Sequence, residues 1–409
     1  MATDVLRLGF VGVGMAVTRI FSEKPGITKL PYIKITGAAD TRSHALDVFK
    51  KEFNAETYNN IEDLCKSPNI DAVYIATPPE MHAEHTLIAA KNGKHVIVEK
   101  PMALTIDDAE RMNDTADKYK IKLLCGHTHS FDAPVRKMRE IVKSGELGPL
   151  RMINTWNFNE FMYRPWPTPE LVTSNGLIFN QTPHQVDVVR LIGGGKVKSV
   201  RAWTGAWDKV RPGVGAYNCF LEFDGGVPAT LVYNGYGFFD TAELMWWTGE
   251  GGQPRDPDTN IKMRTNLRKI AGENVDKVLE EQKEQMRYGQ RSDKWPSIWQ
   301  IWGAGHDAPV HHQSFFGLTV VSCEKGDMRQ SQDGILIYGE NEKREVSLEK
   351  VMRGRQAEVT ELYEAVMNNR PVSHDGRWGE ATLEVCLAIV QSGKEGKEIE
   401  MSHQVASWE

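Results

Sequence analysis

The chain has 409 residues, of which 40% are hydrophobic and 25% charged, with a formal net charge of −6. At about 150 residues per domain, that length predicts two domains. The acidic balance gives no support to a nucleic-acid or anionic-membrane partner.

The chain holds no run of about 18 apolar residues that would predict a membrane span, and its opening, Met1-Ala2-Thr3-Asp4, does not read as a signal peptide. Cys65, Cys125, Cys219, Cys323 and Cys386 are widely spaced, odd in number and free of C-x-x-C. This predicts reduced, mostly buried thiols in a cytoplasmic enzyme rather than a disulfide frame or zinc site.

Up to Cys125 apolar strands alternate with amphipathic helices. Strands are expected at Leu6–Val13, Ile33–Ala39, Asp71–Ala76, His95–Glu99 and Lys122–Cys125. Helices are expected at Met15–Ser22, Ser43–Phe53, Asn60–Cys65, His82–Asn92 and Ile106–Lys118. Such alternation implies right-handed crossovers and a doubly wound parallel sheet of Rossmann type, an α/β domain over residues 1–126.

After Phe131 the rhythm changes, and residues 127–409 read as an α+β domain with a large, mostly antiparallel sheet. A helix at Ala133–Ser144 precedes a strand at Leu150–Asn157 and a helix near Phe179–Leu191. Runs rich in β-formers follow at 197–208, 216–224, 227–234, 241–248, 317–323 and 334–339, joined by turns such as Asp224-Gly225-Gly226. Residues from about 249 to 313 read as an insertion, part loop and part solvated helix. Amphipathic helices between 355 and 391 are expected to return to the body of this second domain.

Gly9, Gly12 and Gly14 follow the first strand and precede the first helix, the context that gives a dinucleotide fingerprint meaning. Gly12 suits the tight turn. Gly14 suits close approach of a pyrophosphate, which then meets the helix N-terminus at Met15 and Ala16. The third glycine position holds Val17, so the motif is incomplete, and an empty doubly wound sheet is the plainer alternative. Asp40 ends the second strand, where a carboxylate can grip both ribose hydroxyls and repel a 2′-phosphate. That favours NAD over NADP, although Arg42 could offset the repulsion or stack on adenine.

Thr77 and Pro78 end the third of these strands, at the sheet edge where ligands of open α/β sheets bind. His82 and His85 follow at i and i+3. That spacing could hold zinc, but a helix beside the nicotinamide fits better, because no third ligand has the spacing of known motifs. Glu99-Lys100-Pro101 stops the next strand. Proline restricts the backbone before it and makes a cis peptide possible. A lysine so held can stabilise the alkoxide formed as hydride leaves, and its plain alternative is a surface lysine. Asn180, His184 and Asp187, at i, i+4 and i+7, are expected on one helical face. His184 there could take an alcohol proton or could simply be a core histidine. Asp187 could orient the ring or pair with Arg190.

With these residues the chain resembles the Gfo/Idh/MocA oxidoreductases, the family of glucose–fructose oxidoreductase and inositol dehydrogenase. Glu99-Lys100-Pro101 is the more specific of the carrying motifs. The resemblance implies a nucleotide-binding domain with NAD or NADP, followed by a sheet domain that binds a small cyclic alcohol and forms a homo-oligomer, a dimer or tetramer. It places the catalytic lysine at Lys100, the proton-transferring histidine at His184 and a substrate contact at His129. Many members carry Asp where this chain has Asn180, which cannot electrostatically favour a protonated imidazole.

Within the family, Val321–Gly334, His374–Cys386 and the segment from Asn180 to Asp187 are similar to the phthalate-type cis-dihydrodiol dehydrogenases. The expected reaction is hydride transfer from a ring carbinol to nicotinamide. A dianionic substrate needs cations, for which Arg164, His306, His311 and His312 are candidates. A sugar dehydrogenase is the alternative, prompted by Trp295, Trp299 and Trp302 at helical spacing. A non-catalytic nucleotide sensor is the alternative of another class.

Overall fold

The computed structural model describes residues 5–22, 26–164, 176–270, 275–290, 311–349 and 354–408. They form two compact units. One comprises residues 1–128, 284–295 and 354–383, and the other 129–283, 296–353 and 384–409.

In the first unit six parallel strands run in the order β3-β2-β1-β4-β5-β6. They are β1 (Leu6–Val11), β2 (Ile33–Ala39), β3 (Glu56–Tyr58), β4 (Ala72–Ile75), β5 (His95–Glu99) and β6 (Leu123–Gly126). Strands β1, β4 and β5 are almost wholly buried, as expected of a sheet covered on both faces. The helices are α1 (Met15–Ser22), α2 (Ser43–Phe53), α3 (Ile61–Lys66), α4 (His82–Lys91) and α5 (Ile106–Tyr119). Side-chain caps set two starts: Asn60 accepts the N–H of Asp63 at 2.8 Å and Thr105 that of Asp108 at 3.2 Å. Strand β3 was not anticipated. It is three half-buried residues with no apolar run, paired to β2 through Gly37 and Glu56.

The second expectation that changes concerns the C-terminal helices. Val359, Leu362 and Ala365 belong to the first unit's core, with Leu8, Phe10 and Phe49, and so does Tyr288 from the expected insertion. An amphipathic pattern announces that a face must be covered and leaves open which sheet covers it.

The second unit carries a nine-stranded sheet in the order β14-β13-β12-β11-β7-β10-β9-β8-β15. Its strands are β7 (Leu150–Phe158), β8 (Val197–Gly205), β9 (Ala216–Phe223), β10 (Pro228–Asn234), β11 (Leu318–Cys323), β12 (Gly326–Gln330), β13 (Gly334–Gly339), β14 (Lys343–Ser347) and β15 (Ile399–Glu400). All neighbours are antiparallel except β7 and β10, which run parallel. Helices α6 (Ala133–Ser144) and α7 (Thr182–Gly193) pack together, and α7 lies on β7 and β10. Ile153, Leu221, Leu231 and Tyr233 are fully buried beneath, while Trp156, Trp203 and Phe220 on alternate positions are 46%, 56% and 44% exposed.

Residues 241–248, expected as a strand, form instead a short 3₁₀ helix at Thr241–Met245. Asp240 caps it by accepting the Ala242 N–H at 2.9 Å, and Trp246 and Trp247 both take φ +54. A side-chain cap here overrides aromatic β-propensity. Strands β12 and β14, absent from the expected β runs, are polar hairpin partners whose pairing to β13 defines them. Helices α8 (Thr259–Ile270) and α9 (Val275–Met286) occupy part of the expected insertion. Among the described residues no helix is long and apolar enough to cross a membrane.

Candidate active site

The strand order of the first sheet reverses between β1 and β4, and ligands of such sheets bind outside the strand ends at that point. Gly12, just past β1, has φ +82, and a Cβ there would lie 2.9 Å from Thr77 Cγ2 and 3.1 Å from the Ala76 carbonyl. Only glycine fits where these two strand ends abut. A Cβ on Gly14 would meet nothing within 4 Å, so this stretch of backbone faces open space just before the N-terminus of α1, at Met15 and Ala16. Asp40 accepts the N–H groups of Val13 and Arg42, each at 2.8 Å. Arg42 reaches back to the Val13 carbonyl at 2.5 Å and to Asp40 at 3.2 Å. A cradle that a side chain would fill, an open helix start and a carboxylate bound to the glycine turn together fit a dinucleotide.

Lys100 follows β5, and its peptide bond to Pro101 is cis. Glu99, expected to meet cofactor, is buried and engaged within the protein. Its buried carboxylate pairs with Arg355 at 2.5 Å and accepts from the Tyr74 hydroxyl at 3.1 Å. Although burial opposes ionisation, Arg355 and Lys100 hold this carboxyl below the usual range. His82 is likewise no surface residue. It is 1% exposed, with Nδ1 2.9 Å from the Pro101 carbonyl and Nε2 2.9 Å from the Thr77 carbonyl. Burial pushes its pKa down against the pull of those carbonyls. His85 Nδ1 lies 3.0 Å from the Thr77 hydroxyl, so both rings serve the Thr77 segment. Thr77 is half-buried and Pro78 exposed.

In the second unit α7 begins at Thr182, so Asn180 lies in the turn before the helix and does not share its face. Pro183 occupies the first turn, where its missing N–H costs nothing. Asn180 accepts from the Gln181 side chain at 2.7 Å. His184, 8% exposed, meets the His129 ring at 4.9 Å and 85°, and Phe316 at 5.3 Å. His129 also packs on Phe316 at 4.8 Å, and its Nδ1 lies 2.9 Å from Asp132 Oδ2. Asp187 is wholly buried, and the Arg190 Nε donates to Gly195 and Gln404.

Arg164, expected to meet a substrate anion, is 7% exposed, pairs with Glu160 at 3.3 Å and lies over the Phe161 ring. Glu160 also binds Arg255, which reaches Asp240 at 2.7 Å. His311 and His312 are half-buried, and His312 Nδ1 is 3.0 Å from Asp333. His306, Trp295, Trp299 and Trp302 lie outside the described residues. Sequence reasoning missed Asp132, although its i+3 spacing from His129 was visible, and Phe316, for which no local signal existed.

Residues 6–127 match the family model described as the oxidoreductase family with an NAD-binding Rossmann fold, and residues 135–250 match the GFO/IDH/MocA C-terminal domain. A 1-carboxy-3-chloro-3,4-dihydroxycyclohexa-1,5-diene dehydrogenase of Comamonas testosteroni is 35% identical over 392 residues, 95% of each chain. The chain belongs to the Gfo/Idh/MocA oxidoreductases. As a member it is an NAD(P)-dependent dehydrogenase, and the alternative of a non-catalytic sensor falls away. A solved structure from Bordetella bronchiseptica is 32% identical, covers 97% of this chain and 100% of its own, and superposes with a TM-score of 0.86. The myo-inositol 2-dehydrogenase of Thermotoga maritima is 28% identical over 48% of this chain and 58% of its own.

Proposed function

We propose that this dehydrogenase oxidises a cis-dihydrodiol on a carboxylated, unsaturated ring, using NAD. What carries the reading is similarity to the Comamonas ring-diol enzyme across 95% of both chains, where the inositol enzyme aligns over only 48% of this one. The surroundings of His184 are in keeping with it, because the packed Phe316 and His129 rings make them aromatic. Asp40, bound to the glycine turn, supports NAD over NADP.

The nicotinamide supplies a hydride acceptor for the carbinol C–H. His184 takes the hydroxyl proton, Lys100 stabilises the developing alkoxide, and the resulting ketone enolises to a catechol. Asp187, one turn along the same helix, supports His184, while Asn180 stands in the turn before that helix. Gly12, Gly14, Met15, Ala16, Asp40, Arg42, Thr77 and Pro78 hold the cofactor. His129, His311 and His312 are the side chains offered to a ring carboxylate, and Arg164 stays with Glu160 as scaffold.

The five cysteines are free and buried, which suits the reducing cytoplasm. The exposed Trp156, Trp203 and Phe220 on the open sheet face suit a homo-oligomer contact. The deciding experiment is a panel of cis-dihydrodiol carboxylates, inositols and aldoses, followed by NADH absorbance. Turnover confined to the inositols or sugars overturns the substrate class and leaves the dehydrogenase standing.

A further inference from the structure

We propose that His82 is a positioning residue for Lys100, an inference that rests on Lys100 acting in the proposed reaction. The parallel ladder between β4 and β5 ends at Ile75 and Val98. Beyond it the two chains must still hold the Thr77 segment and Lys100 at fixed places along one sheet edge. The His82 imidazole stands between the two in the ladder's stead, 2.9 Å from the Thr77 carbonyl on one side and 2.9 Å from the Pro101 carbonyl on the other; the neutral ring donates to one of these carbonyls and only the imidazolium to both. His85, one helical turn along α4, fixes the Thr77 hydroxyl at 3.0 Å.

On the other flank of Lys100 the Glu99 carboxylate is fastened to Arg355 at 2.5 Å. The lysine backbone is thus held from both neighbours, by a side-chain ion pair before it and a ring-bound carbonyl after it. His82 itself is 1% exposed, so its effect on chemistry runs through Lys100 rather than through contact with substrate. Displacing a reacting group by about 1 Å can cost on the order of 10²-fold in rate, the scale expected for loss of this clasp.

The test compares wild type, His82→Ala, His82→Gln, Lys100→Ala and the double variant His82→Ala/Lys100→Ala. The substrate is the panel member with the highest kcat/KM, and NADH affinity is measured by fluorescence titration. His82→Ala is expected to lose about 30- to 100-fold in kcat, with NADH Kd within about threefold and KM nearly unchanged. In the Lys100→Ala background the same change is expected to cost less than about twofold, because the group being positioned is gone. His82→Gln, which keeps one donor, is expected to recover part of kcat and stands in should the alanine variant fail to fold.

Additive losses, a fall in NADH affinity matching the fall in rate, or full activity in His82→Gln and His82→Ala overturn the inference while leaving the catalytic lysine in place. Full activity in Lys100→Ala overturns the lysine reading itself, and this inference with it.

Discussion

The Asp40 carboxylate accepts the backbone N–H of Val13 at 2.8 Å, which ties the acidic end of β2 to the glycine turn of β1. The residue proposed to select the ribose therefore also shapes the glycine turn. Asp40→Ala is expected to weaken NADH on the order of 10- to 100-fold, the scale of charge-assisted hydrogen bonds. NADPH is expected to weaken far less, since Arg42 loses its carboxylate partner. Fluorescence titration of both cofactors checks this, and equal losses for the two would refute the discrimination.

His184→Asn removes the proposed base and is expected to lower kcat by roughly 10²- to 10⁴-fold while NADH still binds. Asp132→Asn leaves His184 intact but frees the His129 ring from its partner at 2.9 Å. Its expected signature is a KM raised on the order of 10-fold with kcat little changed, since His129 is assigned to substrate and His184 to the proton. Steady-state kinetics of both variants separate the two roles.

Acid should loosen the second unit at a defined place. Although burial opposes ionisation, Arg255 and Arg164 hold Glu160 at about 2, below its ordinary 4.5. A folded value below the ordinary one means the charged form stabilises the fold. That contribution is fully present above pH 4.5 and is lost as pH falls through about 2. Asp240, raised by burial, works in the opposite sense and offsets part of the loss. Arg255→Met strands two buried carboxylates and is expected to cost about 3–5 kcal/mol. A fall in Tm on the order of 10 °C should follow, with an acid transition displaced to higher pH, read by circular dichroism.

Thiol chemistry gives a check on burial. The Cys65 thiol is pushed up to about 12 by desolvation, and Cys219, Cys323 and Cys386 are raised for the same reason. All five cysteines are free and buried, so DTNB is expected to react slowly with the native chain and to count five thiols on unfolding. Rapid native reaction at any of them would contradict the packing.

All of the first sheet but β3 was legible because its inner strands are buried on both faces and most of its helices are amphipathic, so each period could be read locally. Gly12, Asp40, Lys100 and His184 stood out in the sequence for a related reason: each sits at or near the end or start of an element, where chemistry is commonly placed, and their roles remain proposals. The partners of those residues were harder. Glu99, beside Lys100, and His82, on the helix after Thr77, were expected at the cofactor, and the partners that bury their side chains could not be read locally. Arg355, which decides the orientation of Glu99, lies far along the chain. Arg164 looked available for an anion for the same reason, since Arg255 and Asp240, which complete its network, are distant in sequence.

The middle strand of the second sheet has Ala229 beside Ile153 on one side and Val321 on the other. A nascent chain that has not yet reached Cys323 therefore holds β7 with one edge bare, and that edge is a template for mispairing. Such distant pairing makes this half the slower to assemble and the more dependent on protection from aggregation. Closing a longer loop between β10 and β11 adds only about 0.6 kcal/mol per doubling, so added length there is expected to cost the sheet little.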